Sequence, residues 1–345
     1  MYSDLAVQIR NKAIDLHYKK CGIIKISDML EYADKLRERI ERIPETKPYT
    51  ERFYSFSNLQ SNYAWAKSIV VCVRREGKYR LPKHLQGLIG KTFLVDYRRD
   101  KQSKDYQDSM NFEQYLQEKG LQTATKRDFG ISALRWAAYK AGLGIIRKNN
   151  FFYTEKGSWM HLEAWLIDKE LDLVENNTIS RCPGSCRLCI KACPTSSLSE
   201  PYLMNHSTCV SYLTVYKTSW DLPNEKYRHL TGSWIYGCDA CQDACPFNHN
   251  AWSEDEEFPN LEELGTHISL GKIVEMNYDF LRDVIHPKFW TIQKENVWKW
   301  KINALSAMLN NYKKSYDKSI NIACKDENEK VREMAEWIKT EITHT

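Results

Sequence analysis

The sequence predicts an α+β protein built from three parts, and three observations support this prediction. Between residues 4 and 167, apolar positions at helical spacing alternate with short apolar runs, which indicates helices alternating with strands. Eight of the eleven cysteines lie between Cys182 and Cys245. From Leu261 onward the pattern is helical again. The predicted domains are an α/β-type domain over 1–178, a cysteine-rich domain over 179–250 and a helical domain over 251–345.

The elements of the amino-terminal domain follow from its apolar periodicity. The run Ser68–Val73 is the clearest strand of the chain. A helix before it should be capped by Ser27 or Asp28 and ended by Pro44. Residues 74–104 are basic and indicate loops. The predicted helices cover about 4–20, 28–43, 105–119 and 131–141, and the other predicted strands cover about 21–26, 122–127 and 161–167.

The carboxy-terminal part is predicted from two amphipathic patterns. Apolar residues recur at helical spacing over 297–310 and over 328–342, and a short helix is expected over 315–323. Paired helices of this kind resemble one HEAT-type repeat, an architecture that presents an extended surface to partners. The tail therefore favours a macromolecular partner, which could be tRNA or protein.

The composition excludes several classes of protein. The chain has 345 residues, of which 42% are hydrophobic and 28% are charged, so it is neither collagen-like nor wholly disordered. No apolar run approaches the roughly 18 residues that a membrane-spanning helix needs, and residues 1–10 lack the pattern of an export signal. The net charge of +5 permits a polyanionic partner without requiring one. We expect a cytoplasmic protein with no membrane partner.

The spacing of the cysteines indicates two 4Fe-4S clusters. The runs Cys186–Pro194 and Cys238–Pro246 share the pattern C-x2-C-x3-C-P. In bacterial two-cluster ferredoxins, the first cysteines of each run bind one cluster, and the cysteine before the proline binds the other cluster. We therefore expect a ferredoxin-like domain with crossed ligation. The predicted ligands are Cys182, Cys186, Cys189 and Cys245 for the first cluster, and Cys193, Cys209, Cys238 and Cys241 for the second.

A pair of structural zinc sites is the alternative, because C-x2-C pairs also suit tetrahedral zinc. The two C-x3-C-P tails, however, have no purpose in a zinc ribbon. Clustered cysteines also differ from the spread cysteines of a secreted disulfide scaffold, so the thiols should be reduced. The remaining cysteines, Cys21, Cys72 and Cys324, are interpreted as inert thiols. Two adjacent clusters conduct electrons, which implies a redox centre at their end.

Runs beyond the ferredoxin pattern carry a family resemblance. The most specific are Cys209–Thr214 and Tyr236–Asn248, which ferredoxins alone do not share. The other runs are Asp128–Gly144, Lys148–Asn149, Gly157–Trp159 and Asn303–Leu305. Together they resemble the epoxyqueuosine reductase family, cobalamin-dependent iron–sulfur enzymes that reduce epoxyqueuosine to queuosine in tRNA. The resemblance spans roughly residues 60–345.

The resemblance implies that the amino-terminal domain binds cobalamin and that Asp128 is the proton donor. From the sequence alone, Asp128 could instead cap the helix over 131–141. A working acid requires burial against the corrin, which would raise its pKa toward neutrality. If Asp128 does not act, Asp96 or Tyr97 is the next candidate. The implied cofactor contacts are Asp96, Tyr97, Gly144, Lys148, Asn149, Ser158 and Trp159.

The implied substrate is tRNA with epoxyqueuosine at the wobble position of the anticodon loop. Chemistry on a base requires access to it, so the modified base should be extruded toward the corrin. Electrons should come from an external low-potential donor, and we expect a monomer. Backbone phosphates are typically contacted by lysine and arginine. The candidate phosphate contacts are Lys299, Lys301, Lys313 and Lys314.

The chain departs from the family pattern at several positions. Three residues separate Cys182 from Cys186 where the family commonly has two, and Pro183 lies where the ligand is expected. Arg98 replaces a histidine and Arg147 replaces a glycine. The chain also lacks the Asp-x-His-x-x-Gly motif of a histidine lower ligand to cobalt, which agrees with cobalamin bound without one.

Two other functions use the same sequence features. The first is corrin-dependent reductive dehalogenation, although respiratory dehalogenases usually carry a twin-arginine export signal and Arg74-Arg75 lies too deep in the chain to be one. The second is an iron–sulfur electron carrier, or an activator of a corrinoid protein, with no substrate of its own. Corrin retention and turnover of modified tRNA separate the three.

Overall fold

The structure is a computed structural model, and it describes residues 3–75, 77, 79–93, 101–216, 222–253, 256–257, 261–289 and 292–343. The strands are β1 (Lys20–Lys25), β2 (Ser68–Arg75), β3 (Tyr79–Arg80), β4 (Thr123–Ala124), β5 (Ile145–Ile146), β6 (Phe152–Tyr153), β7 (Met160–Ile167), β8 (Leu198–Glu200), β9 (Leu203–Met204) and β10 (Glu256–Glu257). The helices are α1 (Asp4–Asp15), α2 (Tyr32–Arg42), α3 (Lys47–Thr50), α4 (Lys104–Glu118), α5 (Leu134–Lys140), α6 (Leu188–Lys191), α7 (Glu225–Arg228), α8 (Ala240–Asp243), α9 (Leu261–Gly265), α10 (Leu270–Glu275), α11 (Tyr278–Phe280), α12 (Trp298–Asn310), α13 (Asp317–Ala323) and α14 (Glu329–Thr343).

A four-stranded sheet lies at the centre of the amino-terminal part, with strand order β1-β2-β7-β4. Neighbouring strands are antiparallel throughout, whereas an α/β-type domain is usually built on a parallel sheet. Alternate residues of β2 face opposite sides of the sheet. Val71 packs towards α5, and Val70 packs towards α1 and α4. Because both faces are covered, these strands are continuous apolar runs in the sequence.

The predicted helices and strands of this part are present, with shifted ends. The expected cap at Ser27 or Asp28 is wrong, because residues 26–29 form a 3₁₀ turn and α2 begins at Tyr32. The Asp28 carboxylate instead accepts a hydrogen bond from the backbone N–H of Lys25 at 3.0 Å. The predicted loops over 74–104 contain short 3₁₀ turns where they are described.

The carboxy-terminal helices pack around α12. This helix is buried on all sides, with Trp300, Ala304 and Leu305 at 0% exposure. The three predicted tail helices correspond to α12, α13 and α14, so their existence and order are confirmed. Their likeness to a HEAT repeat remains a prediction. No helix among the described residues is long and apolar enough to cross a membrane.

The three parts are connected through more than the chain itself. Apolar residues of the segment 81–93, which the sequence assigns to the amino-terminal domain, pack into the same core as the carboxy-terminal helices. Strand β3 also pairs in parallel with β10. The predicted boundaries at 178 and 250 therefore remain predictions, and residues on either side of them pack into one core and pair in one sheet.

Candidate iron–sulfur and substrate site

The predicted first set of cysteines is gathered in one place. Burial raises the pKa of the Cys189 thiol. Three other thiols are close enough to raise this pKa further, those of Cys245, Cys182 and Cys186. Cys245 is remote in sequence from the other three, so the chain itself brings it back to them. This grouping is the one that the crossing rule predicts.

The predicted second set is gathered in the same way. Burial raises the pKa of the Cys241 thiol well above its ordinary value, and the thiols of Cys209, Cys238 and Cys193 raise it further. Cys209 and Cys193 likewise raise the pKa of Cys238. The described structure therefore contains two groups of four thiols. That these groups bind iron as assigned remains a prediction.

The local fold explains how the repeated motif produces two equivalent halves. Cys189 lies in α6 and Cys241 lies in α8, which are four-residue helices that pack together. Each helix is followed by a cysteine and then a proline, Cys193-Pro194 and Cys245-Pro246. Proline cannot continue the helix, so the cysteine before it lies outside the helix and is free to point towards the other group.

The donor set fits iron–sulfur clusters. Four thiols in each group match the cysteine ligation of a 4Fe-4S cluster. Backbone N–H groups are directed at the sulfur atoms: Leu198 donates to Cys193 Sγ at 3.5 Å, and a backbone bond from Ala240 opposes the burial that raises the pKa of Cys238. Such donors stabilise thiolate charge. In the described residues, no three His, Cys, Asp or Glu side chains converge closely enough for a single metal ion.

A bridging segment, residues 144–159, joins the sheet to the cysteine region. The buried Lys148 is its clearest contact, because its ammonium donates to the carbonyls of Pro183 at 2.6 Å, Gly184 at 2.7 Å and Cys186 at 3.0 Å. Lys148 therefore holds the loop between the first two predicted ligands.

Two more side chains of the bridging segment reach the cysteines. Asn149 donates to the carbonyl of Cys241 at 3.2 Å and to the Tyr153 hydroxyl at 2.9 Å. Burial, followed by a hydrogen bond with the Cys245 thiol, raises the pKa of Tyr153. The bridging segment thus contacts residues from both predicted ligand sets.

Ser158 and Trp159 also face protein groups. The Ser158 hydroxyl donates to Gln242 Oε1 at 2.7 Å, and its backbone N–H donates to Asn248 Oδ1 at 2.8 Å. Trp159 is 2% exposed, and its ring centroid lies 5.3 Å from that of Trp252. Ser158 therefore helps to dock the bridging segment onto the cysteine region, and Trp159 packs against Trp252 just after that region.

Gly144 is required by close packing. A Cβ atom there would lie 2.2 Å from the Tyr153 carbonyl oxygen and 2.5 Å from the Phe152 ring. Its own carbonyl accepts a hydrogen bond from Asn177 at 2.7 Å. The contact of Gly144, Lys148, Asn149, Ser158 and Trp159 with cobalamin stays a prediction, and the structure gives these residues a docking role as well. Asp96 and Tyr97 lie outside the described residues.

Asp128 lies in an exposed turn over residues 127–129. Helix α5 begins at Leu134 and its cap residue is Ala133, so the alternative that Asp128 caps this helix is wrong. The adjacent Phe129 is 69% exposed. The burial that a protonated acid requires is therefore absent here, and it would have to come from a bound cofactor and substrate.

Among the described residues, buried polar atoms without hydrogen-bond partners lie on the segments after this turn. They are Ser132 Oγ, Trp136 Nε1 and Asn150 Nδ2. The Arg135 guanidinium donates to the carbonyl of Asn150, so these atoms lie on two segments that are bonded to each other. Buried polar groups are normally satisfied, and unsatisfied ones mark places where a ligand or water belongs. These residues fit a polar ligand between the two segments that follow the Asp128 turn. Their sequence offered no signal beyond lying within or beside the resembling runs.

The predicted phosphate contacts in the tail need correction. Lys299 and Lys301 are 6% and 4% exposed. Lys301 forms an ion pair with Asp326 at 2.8 Å, so its charge is already used inside the protein. Lys313 and Lys314 are exposed, and although the Lys314 ammonium lies 3.3 Å from the Asp317 carboxylate, such a solvent-exposed pair is weak, so both remain available to a polyanion. Because α12 is surrounded by other helices, its apparent polar face does not face solvent.

Comparison with known proteins agrees with this geometry. The family described as "4Fe-4S double cluster binding domain" matches residues 181–248. An epoxyqueuosine reductase from Synechococcus sp. is 33% identical over 50% of this chain and 52% of its own length. One from Cellulophaga algicola is 28% identical over 83% of this chain and 90% of its own length. The matched part of the chain thus spans about half the length of the first relative and most of the length of the second.

Solved structures show the same fold. The epoxyqueuosine reductase of Streptococcus thermophilus has a TM-score of 0.79 at 22% identity, covering 99% of this chain and 91% of its own. An epoxyqueuosine reductase with an epoxyqueuosine-modified tRNA-Tyr stem loop has a TM-score of 0.75 at 21% identity, covering 97% and 89%. The Bacillus subtilis enzyme, with its catalytic aspartate loop swung out of the active site, has the same TM-score, identity and coverage.

The matched domain and the two thiol groups define the class of this molecule, a two-cluster iron–sulfur protein. The relatives and solved structures that it matches are epoxyqueuosine reductases, which confirms the resemblance read from its motifs.

Proposed function

We propose that this protein reduces epoxyqueuosine to queuosine in the anticodon loop of tRNA. Electrons would pass from an external low-potential donor through two 4Fe-4S clusters to cobalamin. The observation that carries the proposal is that one bridging segment contacts both four-thiol groups and, through the bond between Arg135 and Asn150, the helix that follows the Asp128 turn. We place the enzyme in the cytoplasm, as a monomer that meets its tRNA there.

The cluster assignment in this proposal is the crossed one. The closeness of Cys245 to Cys189, and of Cys193 to Cys241, supports it. Each pair joins residues from different copies of the repeated motif. An uncrossed arrangement would separate them.

Cobalamin is the second proposed cofactor, and the unsatisfied polar atoms of Ser132, Trp136 and Asn150 support a ligand on that face. When bound, it supplies low-valent cobalt chemistry that opens the epoxide or reduces it stepwise. The task of the chain is to orient the substrate, exclude water and deliver a proton. Asp128 delivers that proton to the oxygen that leaves the ring.

Asp128 acts only if its environment changes on binding. Its turn is exposed in this structure, so a bound corrin and base must remove water from the carboxyl group. The turn is held against helix α4, because Arg127 donates to Ser109 Oγ at 2.9 Å and to the Glu113 carboxylate. Gly130, with φ +79°, gives the other end of the turn a backbone freedom that other residues lack.

The test is anaerobic turnover of tRNA that carries epoxyqueuosine, using chain reconstituted with iron, sulfide and cobalamin. We expect epoxyqueuosine to be converted to queuosine, and mass spectrometry of the nucleosides measures this conversion. Full clusters and bound corrin without conversion of the tRNA would contradict the proposal. Dehalogenation of an organohalide under those conditions would point to the dehalogenase alternative, and cluster assembly without corrin retention would point to an electron carrier.

A further inference from the structure

Arg147 of the bridging segment lies against the first group of cysteines. Its guanidinium Nη1 is 3.6 Å from Cys182 Sγ. The side chain is 2% exposed, and its Cζ lies 3.4 Å from the centroid of the Phe247 ring and 5.1 Å from that of Tyr153. Two aromatic rings therefore hold the guanidinium in one position. Phe247 follows Cys245-Pro246, so Arg147 contacts both ends of the first ligand set.

The charge of Arg147 has no carboxylate partner in the part of the chain that the structure describes. Among those residues, the polar side-chain contact of Arg147 is with Cys182 Sγ and not with a carboxylate, and its buried Nε has no hydrogen-bond partner. Arginine stays protonated at every pH that a protein tolerates. Burying an unpaired charge is costly, so a stable structure must supply a negative partner. The Cys182 sulfur is the group in the right place.

We propose that Arg147 is the fixed counter-charge of the first cluster and raises the reduction potential of that cluster. This inference rests on the proposed assignment of Cys182 as a ligand. One-electron reduction adds one negative charge to the cluster, and a buried cation beside a ligand sulfur stabilises the reduced form more than the oxidised form. The unpaired Nε is then a donor available to the cluster.

The second group of cysteines has no equivalent among the described residues. Lys91 lies close to it, but its ammonium is 2.7 Å from Asp243 and 3.9 Å from Asp239. Two carboxylates there offset one cation. The difference predicts a higher potential for the first cluster than for the second, which would direct electrons towards the cluster that Arg147 contacts.

The same arrangement explains how the longer loop between Cys182 and Cys186 is accommodated. Lys148 binds three carbonyls of this loop, and the neighbouring Arg147 binds the sulfur at its start. Adjacent cations of one segment thus fix both the loop backbone and its first thiol. Arg147 replaces a glycine of the family pattern, and in the structure it contacts the first thiol of the longer loop.

The test is an anaerobic redox titration of the reconstituted full chain, monitored by electron paramagnetic resonance. In Arg147→Met, we expect the midpoint of one cluster to fall by about 59 mV, a tenfold change in its reduction equilibrium, while the other midpoint stays fixed. Arg147→Lys should remain close to wild type. Arg187→Met is the matched control, because it removes the same charge from an exposed position beside Cys186, where water screens it.

The outcomes separate this inference from the function. Unchanged midpoints in an Arg147→Met variant that holds both clusters would overturn it, as would an equal fall in the Arg187→Met control. If the Met variant assembles only one cluster, the Arg147→Lys and Arg147→Gln variants are compared instead. A midpoint that falls in the Gln variant but not in the Lys variant supports the charge role. Equal midpoints in these two variants overturn it. If the wild type does not turn over the tRNA but the Arg147→Met variant shows the predicted fall in midpoint, the proposed function is contradicted and this inference still stands.

Discussion

The sheet and the cysteine region are held together by different forces. In the sheet, residues of β2 such as Val70 and Val71 are 0% exposed on opposite faces, and apolar packing against helices does the work. In the described part of the cysteine region over 182–248, strands have two or three residues and α-helices have four. Its apolar residues Val215, Ile235 and Tyr236 are buried in the core of the carboxy-terminal helices, whereas thiols and polar bonds lie around Cys189 and Cys241. Because the part around the thiols has little apolar core of its own, we expect it to need another source of stability, which bound clusters would supply.

The border between the two regions is polar as well. The bridging segment docks through Lys148, Asn149 and Ser158, whose partners are carbonyls and side-chain amides of the cysteine region. Such bonds are directional, so they fix the distance between the sheet and the thiols more strictly than apolar contact would. A precise distance is what electron transfer between cofactors requires.

Removing iron should produce the largest effect. With an anaerobic chelator, hydrogen exchange should accelerate by several orders of magnitude over 182–248, while strands β1, β2 and β7 stay protected. Hydrogen exchange with mass spectrometry provides the measurement. Cys324→Ala is the control, because that cysteine lies in the tail and its loss should leave the exchange pattern unchanged. Equal loss of protection in sheet and cysteine region would show that one force holds both.

Asp128→Asn should lower turnover of epoxyqueuosine tRNA by about 10²–10⁴, because the amide cannot deliver a proton. The turn is exposed and caps no helix, so the iron content, cobalamin content and melting temperature should remain those of the wild type. Single-turnover assays with parallel iron analysis measure both. If cofactor and activity are lost in equal measure, Asp128 has a structural role. Normal turnover would transfer the role of acid to another group, with Asp96 and Tyr97 as the next candidates.

Lys301→Met should destabilise the helical tail by about 3–5 kcal/mol, because it removes the cation from the buried Asp326 carboxylate and leaves its charge with neutral donors, the Tyr278 hydroxyl and the Asn328 N–H. Lys314→Met, at an exposed position, should change stability by less than about 0.5 kcal/mol and weaken tRNA binding at low salt. Chemical denaturation and salt-dependent binding assays distinguish the two. A tRNA-binding defect in Lys301→Met without loss of stability would restore the phosphate contact that the burial of this side chain excludes.

The smallest expected effect is a pH dependence where helix α3 of the amino-terminal part contacts the cysteine region. His206 stacks on Tyr49 with ring centroids 3.5 Å apart, and burial, with the charges of Arg39 and Arg52, lowers its pKa to about 4. Stability from the neutral ring is present above the unfolded pKa of about 6.5 and is lost as the pH falls towards 4. The melting temperature of wild type should therefore fall more than that of His206→Gln over this range. Parallel curves would mean that His206 does not titrate there.

The cysteine sets could be predicted because cluster ligation leaves a fixed spacing in the sequence. Strand β2 and helix α12 were predictable from their apolar runs. The antiparallel order of the sheet was not, since a strand buried on both faces has the same pattern in either direction. The surface role expected for Lys299 and Lys301 failed because periodicity cannot show that other helices surround α12. The docking contacts of Lys148 and Arg147 depend on a tertiary approach that no local pattern records.

The central claim is that residues 182–248 fold around two four-iron clusters, and the iron content tests it most directly. Anaerobic reconstitution followed by iron and zinc analysis, with Mössbauer spectroscopy to identify the cluster type, should find about eight irons per chain and no zinc. The Mössbauer signal should be that of 4Fe-4S centres alone. Four irons per chain, or stoichiometric zinc in a folded protein, would contradict the account.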